Sequence, residues 1–143
     1  MSIKYLSPRI EYLSQRVKEC KRVFNYTTSA YEKRDVDAAR HIEPLEEVMD
    51  DMINALHDNH LARLRTGTCT IHAGTVFLDI LNNIERISDV CSNIGIAVIA
   101  RVNPEVANLA HTYISSLHKG SDENYNHEYE AAHEEFFGRL KNN

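Results

Sequence analysis

Glutamate and aspartate recur at a spacing of four in three places: Glu46 with Asp50, Glu47 with Asp51, and Glu85 with Asp89. Four residues is close to one helical turn, so each pair projects from a single helix face. Like charges held so close repel and weaken an isolated helix. Half-buried, they need protons, cationic partners or a metal ion. Carboxylate oxygens suit hard ions such as Mg²⁺, Ca²⁺ and Mn²⁺, and they also bind iron and zinc. The competing reading is a solvated acidic face with Arg63, Arg65 and Arg86 as ion-pair partners.

The helical wheel separates the pairs. At about 100° per residue, Glu46 and Asp50 lie roughly 100–140° from Leu45, at the border of an apolar stripe. Glu47 and Asp51 lie at about 200–240°, on the polar back. Only Glu46 and Asp50 are thus placed to look along a helix–helix seam. Glu85 and Asp89 share the angular position of Leu78 and Ile96, on a face flanked by apolar residues. Two such pairs facing each other from antiparallel helices would offer four oxygen-donor side chains.

Other chemistry is thinner. His57 and His60, with His72 nearby, read as surface or capping histidines rather than a metal pair. Glu130 and His133 supply one copy of a spacing that di-iron carboxylate bundles need twice, with two further glutamates. No second copy exists, which disfavours a di-iron oxidase. There is no GxSxG, no GxGxxG and no phosphate-binding glycine loop. Ser88 and Cys91 read as packing residues, and Cys69, near a turn, as a more exposed thiol. A metal-dependent hydrolase would need an identifiable general base and an open coordination position, and the sequence marks neither. The chain therefore reads as non-enzymatic.

The elements that must position these carboxylates are helices. Within 143 residues, five glycines and three prolines are too few for the many turns of an all-β chain. The length suits a single domain, residues 1–143. A first helix is expected from Pro8 to about Arg34, capped by Ser7, with a stripe of Ile10, Leu13, Val17, Cys20, Phe24 and Tyr31 facing one partner surface. A polar stretch, Glu32 to Asp37, bends or breaks the chain. A second helix is expected from about Asp37 to Arg65, with the stripe Ile42, Leu45, Val48, Met49, Met52 and Leu56. If the helix begins instead around His41 to Glu43, Pro44 falls in the first turn and is tolerated; otherwise it kinks the helix. Gly67 ends it.

The third helix, about Thr70 to Arg101, is expected to be the central one, since Leu78, Leu81, Ile96 and Ile99 widen its stripe of Phe77, Ile80, Ile84, Ile87, Cys91, Ile94 and Val98. Gly74 and Gly95 are small positions where a neighbour can approach. Asn103 and Pro104 start a fourth helix that runs from Glu105 to about His118. A polar, peripheral helix spans Asp122 to Leu140. Short connections between long helices imply an all-α, antiparallel up-and-down bundle.

The longest apolar run, Ile94 to Ala100, is far shorter than the about 20 residues of a membrane span. The first residues hold no apolar signal segment. An odd set of widely spaced thiols, Cys20, Cys69 and Cys91, implies reduced cysteines and a cytoplasmic setting. The net charge of −5 disfavours a nucleic-acid partner.

Three stretches between about Ile42 and Ala97 carry a resemblance: E-P-L-E-E-V-M-D with Glu46 and Asp50, the hinge H-L-A-R-L-R-T-G-T-C, and F-L-D-I-L-N-N-I-E-R-I-S-D with Glu85 and Asp89. They resemble the PhoU-like domain family, most closely the cytoplasmic C-terminal domain of bacterial sodium/phosphate cotransporter-like proteins. The resemblance implies a three-helix repeat, about 8–101, followed by C-terminal helices, about 104–141. It implies Glu46, Asp50, Glu85 and Asp89 as ligands for iron or zinc ions. It also implies a regulatory role in sodium-dependent phosphate transport, with a membrane transporter domain or another protein as partner. The cotransporter-type pattern usually has histidine after the second aspartate, where this chain has Val90. The alternative is a stand-alone helical module that homodimerises through the wide apolar girdle of the third helix.

Overall fold

The computed structural model describes residues 7–141, with side chains described over residues 11–138. All secondary structure among these residues is helical: α1 (Ser7–Lys33), α2 (Val36–Arg40), α3 (Ile42–Arg65), α4 (Ile71–Val102), α5 (Pro104–Asn108), α6 (Ala110–His118) and α7 (Glu123–Lys141). Helices α1, α3 and α4 pack on one another as a three-helix bundle, and α7 lies along α3. The side chains of Ser7, Ile10 and Leu140 lie outside the described residues.

Local chemistry sets the breaks. Helix α1 ends at Arg34, whose φ of 52° is left-handed, and the Asp35 N–H bonds back to the Ala30 carbonyl at 3.1 Å. That is the usual terminating pattern, with arginine where glycine is commonest. Asp35 then caps α2 by accepting from the Ala38 N–H at 3.0 Å. The single helix expected from Asp37 to Arg65 is instead two, separated at His41. Pro44 is the reason. It lacks an N–H, and its ring would strike the Arg40 carbonyl in a continuous helix. As the third residue of α3 it falls among the first-turn donors that have no intrahelical acceptor. Gly67, with φ 68°, closes α3, and the Thr68 N–H reaches the Arg63 carbonyl at 3.0 Å. Thr70 caps α4 and Asn103 caps α5 through their side chains. The expected helix from Glu105 to His118 divides at Leu109, which leaves helical geometry at φ −130° and ψ 26°.

The central helix is α3 and not α4. Ile42, Leu45, Val48, Met49, Met52 and Leu56 are buried as the stripe requires, but so are Glu43, Pro44, Glu46 and Ile53. Helix α3 is covered by α1 and α4 on one side and by α7 on the other. Helix α4 has partners on only part of its girdle, so Ile80, Ile87 and Val90 stay exposed. The last helix is not peripheral: its Tyr125, Ala132 and Phe136 are buried.

Part of the apolar stripe of α1 faces away from the bundle, although Leu13 is half-buried and Cys20 packs against the core. Val17, Phe24 and Tyr31 are 51%, 56% and 73% exposed. The buried face carries Arg16, Val23, Thr27 and Ala30 instead. Small side chains there let α1 approach its neighbours, as Gly95 does on α4. A Cβ at Gly95 would lie 2.8 Å from Ile42 Cδ1. At Gly74 it would lie 2.7 Å from the ring of His60.

Truncating the centre and the outer stripe should therefore differ sharply. Met49→Ala is expected to cost about 2–5 kcal/mol. Phe24→Ala should stay within about 0.5 kcal/mol in the monomer, because its ring is already in water. Urea unfolding of both variants measures the contrast.

Candidate metal centre

Glu46 and Asp50 stand one turn apart on α3, at the seam with α4, and Asp89 meets them from α4. One carboxylate oxygen from each lies within 4.8 Å of the other two. Two oxygens on one ion, each about 2.0–2.5 Å from it, lie at most about 4–5 Å apart. The three donors are thus close enough to share an ion. Glu46 is buried, while Asp50 and Asp89 reach solvent.

Crowding governs the protonation of this group. Burial pushes the Glu46 carboxyl up to about 9, helped by the charges of Asp50 and Glu43 and by its hydrogen bond with Asp89. Burial also raises Asp50, with Asp89 and Glu85 adding to it and Arg16 opposing. At neutral pH Glu46 therefore carries a proton shared with Asp89. A divalent ion answers the same need as that proton, which is the sense in which the residues fit a metal.

Glu85 lies outside this close group. Its charge acts on Asp50 and on the guanidinium of Arg16. Arg16 comes from α1, and it stands beside this cluster where Arg63, Arg65 and Arg86 are the partners expected from the sequence. The signal was present: Arg16 shares the helical face of Val23, Thr27 and Ala30, a face that becomes buried. Arg63 instead lies over the Phe77 ring, 5.5 Å from its centroid, and Arg65 and Arg86 are exposed.

The second acidic pair is not a solvated back. Helix α7 covers it: the Tyr125 hydroxyl donates to Glu47, and the Tyr129 hydroxyl donates to Asp51 at 2.6 Å. Burial and the acceptor carboxylates push both phenols above their ordinary range, so both remain donors. Glu43 is met by the Ser92 hydroxyl and by His118 Nε2 at 3.0 Å. His41 Nδ1 lies 2.7 Å from Glu128 and its ring stacks on Tyr26.

The histidines are dispersed. His60 is buried at 2% exposure against Phe77, not on the surface, and His57 is half-buried. His72 is exposed. His133 stacks on Phe137, and Glu130 faces solvent. A cleft of about 580 Å³ opens at the ends of α1 and α4, lined by Tyr31, Arg34, Ile94, Val98 and Arg101 and by none of the four motif carboxylates.

The raised Glu46 carboxyl has a stability consequence with a definite sign. Between its ordinary value of 4.5 and about 9, the folded chain holds a proton that the unfolded chain releases. That contribution is complete below the lower value and is lost as pH rises through the upper one. Metal-free protein should therefore melt at progressively lower temperature from pH 5 to pH 9. Glu46→Gln should flatten the profile. Thermal unfolding in the presence of a chelator, across that range, checks both.

Comparison with known proteins extends the reading. The PhoU domain family matches residues 13–98, which contain α2, α3, most of α1 and α4, and all four motif carboxylates. Neither the curated proteins nor the solved structures provide a match. The family is regulatory and in general non-enzymatic, with a role related to phosphate regulation. A matched region of this extent, folded as an all-α bundle with its acidic motifs on α3 and α4, places the chain in the PhoU domain family.

Proposed function

We propose that this PhoU domain is a non-catalytic, metal-responsive regulator of sodium-dependent phosphate transport. It would act in the cytoplasm by packing against a membrane transporter domain or another protein. The observation that carries the metal part is the convergence of Glu46, Asp50 and Asp89 from two helices, where burial and neighbouring charge raise the Glu46 carboxyl. Asp50 and Asp89 would hold the ion from the solvent side and Glu46 from the seam, with Glu85 supporting them from α4. Iron and zinc are the ions the family resemblance favours, and both accept carboxylate oxygen. Bound there, the ion supplies positive charge between two helices. Val90, exposed beside Asp89, offers no donor at the position where the cotransporter-type pattern has histidine.

The protein's own part is a choice between two states of one seam. In one, Glu46 keeps its proton and bonds to Asp89. In the other, Glu46 gives the proton up and the α3–α4 seam is held through the ion. Because α7 is bonded to Glu47 and Asp51, each the next residue after a donor of the seam, a change at the seam would be passed to α7 and to a partner that packs there.

Purified chain should take up about one Fe²⁺ or Zn²⁺, releasing protons as it does so. At a ligand concentration of 100 times Kd the stabilisation is about 2.7 kcal/mol. Asp89→Asn should weaken uptake at least tenfold without unfolding the domain. Titration calorimetry with metal analysis reads both, and wild-type protein that holds neither ion would sink the metal part.

A second reading is a homodimerisation module in phosphate regulation. It draws on the exposed residues Val17, Phe24 and Tyr31, spaced by seven on α1, and on Ile80 and Ile87, spaced by seven on α4. Spacing by seven is the pattern of a helix–helix seam, and α1 and α4 are neighbours. Sedimentation should show a dimer that Phe24→Glu dissociates. A strict monomer at high concentration counts against it.

A further inference from the structure

Arg16 is fully buried between α1 and its neighbours, and none of its three guanidinium nitrogens has a hydrogen-bond partner. An unsatisfied buried cation is strongly unfavourable unless nearby negative charge offsets it. The groups that favour its charged form are Glu85 first, then Asp50, then Cys20. Burial lowers its pKa to about 10, so it stays charged at neutral pH. Arg16 thus holds its charge through the same acidic cluster in which the metal donors sit.

We infer that Arg16 is a tethered counter-ion of this cluster and that it competes with the metal ion, setting how tightly the ion is held. The inference rests on the metal reading above. Asp50 is the shared element: it belongs to the close donor group, and its charge and that of Arg16 act on each other. The two cations reach it differently. Asp89 is exposed, so an ion arrives from solvent, whereas Arg16 is sealed inside. Once both are present, a divalent charge and a guanidinium repel across a poorly screened interior. At the separations that join such neighbours, one unit of charge changes an equilibrium by tenfold or more. Glu85 fits the same scheme. It is a motif carboxylate outside the close donor group, and it is the principal countercharge of Arg16.

The test uses the full chain, titrated with Zn²⁺ and Mn²⁺ by calorimetry. Arg16→Met removes the charge and keeps the volume, a replacement that buried ionic sites commonly tolerate. It should bind the ion at least tenfold more tightly than wild type. Arg16→Gln, a polar neutral variant, should gain similarly and stands in if the methionine variant folds poorly. Arg16→Lys keeps the charge and should stay near wild type. Asp89→Asn in both backgrounds should abolish the gain, locating it at this cluster. Equal or weaker binding by both neutral variants, with wild type still binding, overturns the competition and leaves the metal reading intact. No uptake by any variant removes the metal reading and the competition together.

Discussion

Helix α3 carries five acidic residues between Glu43 and Asp51, and it is also the helix most thoroughly enclosed. That conflict organises the molecule. A carboxylate taken from water must be given a proton, a donor or a cation. Each of the five receives one. Glu43 is met by Ser92 and His118, Glu47 by Tyr125 and Asp51 by Tyr129. Glu46 keeps a proton shared with Asp89, and Asp50 lies in the field of Arg16.

Two faces of α3 answer the constraint differently. Towards α7 the carboxylates meet neutral hydroxyl donors. Those contacts do not depend on ionic strength, and raised phenol pKa values keep the donors protonated. They fasten α7 to the bundle, together with buried Tyr125, Ala132 and Phe136. Towards α4, Glu43 meets the Ser92 hydroxyl, but Glu46 and Asp50 meet another carboxylate, and there a proton and a buried guanidinium hold the balance. The first face is settled. The second is poised, because a single ion could replace the proton.

Much of this was legible in the residue pattern. The stripe from Ile42 to Leu56 marks the buried face of α3, and the glycines at 74 and 95 mark close approach. The placement of Glu46 at a stripe border anticipates its burial in the α3–α4 seam. The large apolar side chains of α1 misled in the same terms. Val17, Phe24 and Tyr31 form a regular stripe, but the face of α1 that the bundle buries carries Arg16, Val23, Thr27 and Ala30. Breadth of hydrophobicity likewise favoured α4 as the centre, whereas enclosure depends on how much of a helix its neighbours cover: α4 leaves Ile80, Ile87 and Val90 exposed.

Residue order by itself determined the all-helical class, the breaks at Gly67 and Asn103, and the pairing of carboxylates one turn apart. These depend on backbone geometry and side-chain type within a few positions. Only the tertiary structure decided which carboxylates meet. Asp89 joins Glu46 and Asp50, the charge of Glu85 acts on Arg16, and the pair Glu47 and Asp51 is closed off by tyrosines 78 positions away in the chain. Burial and charge act through space, and a helical wheel contains only one helix.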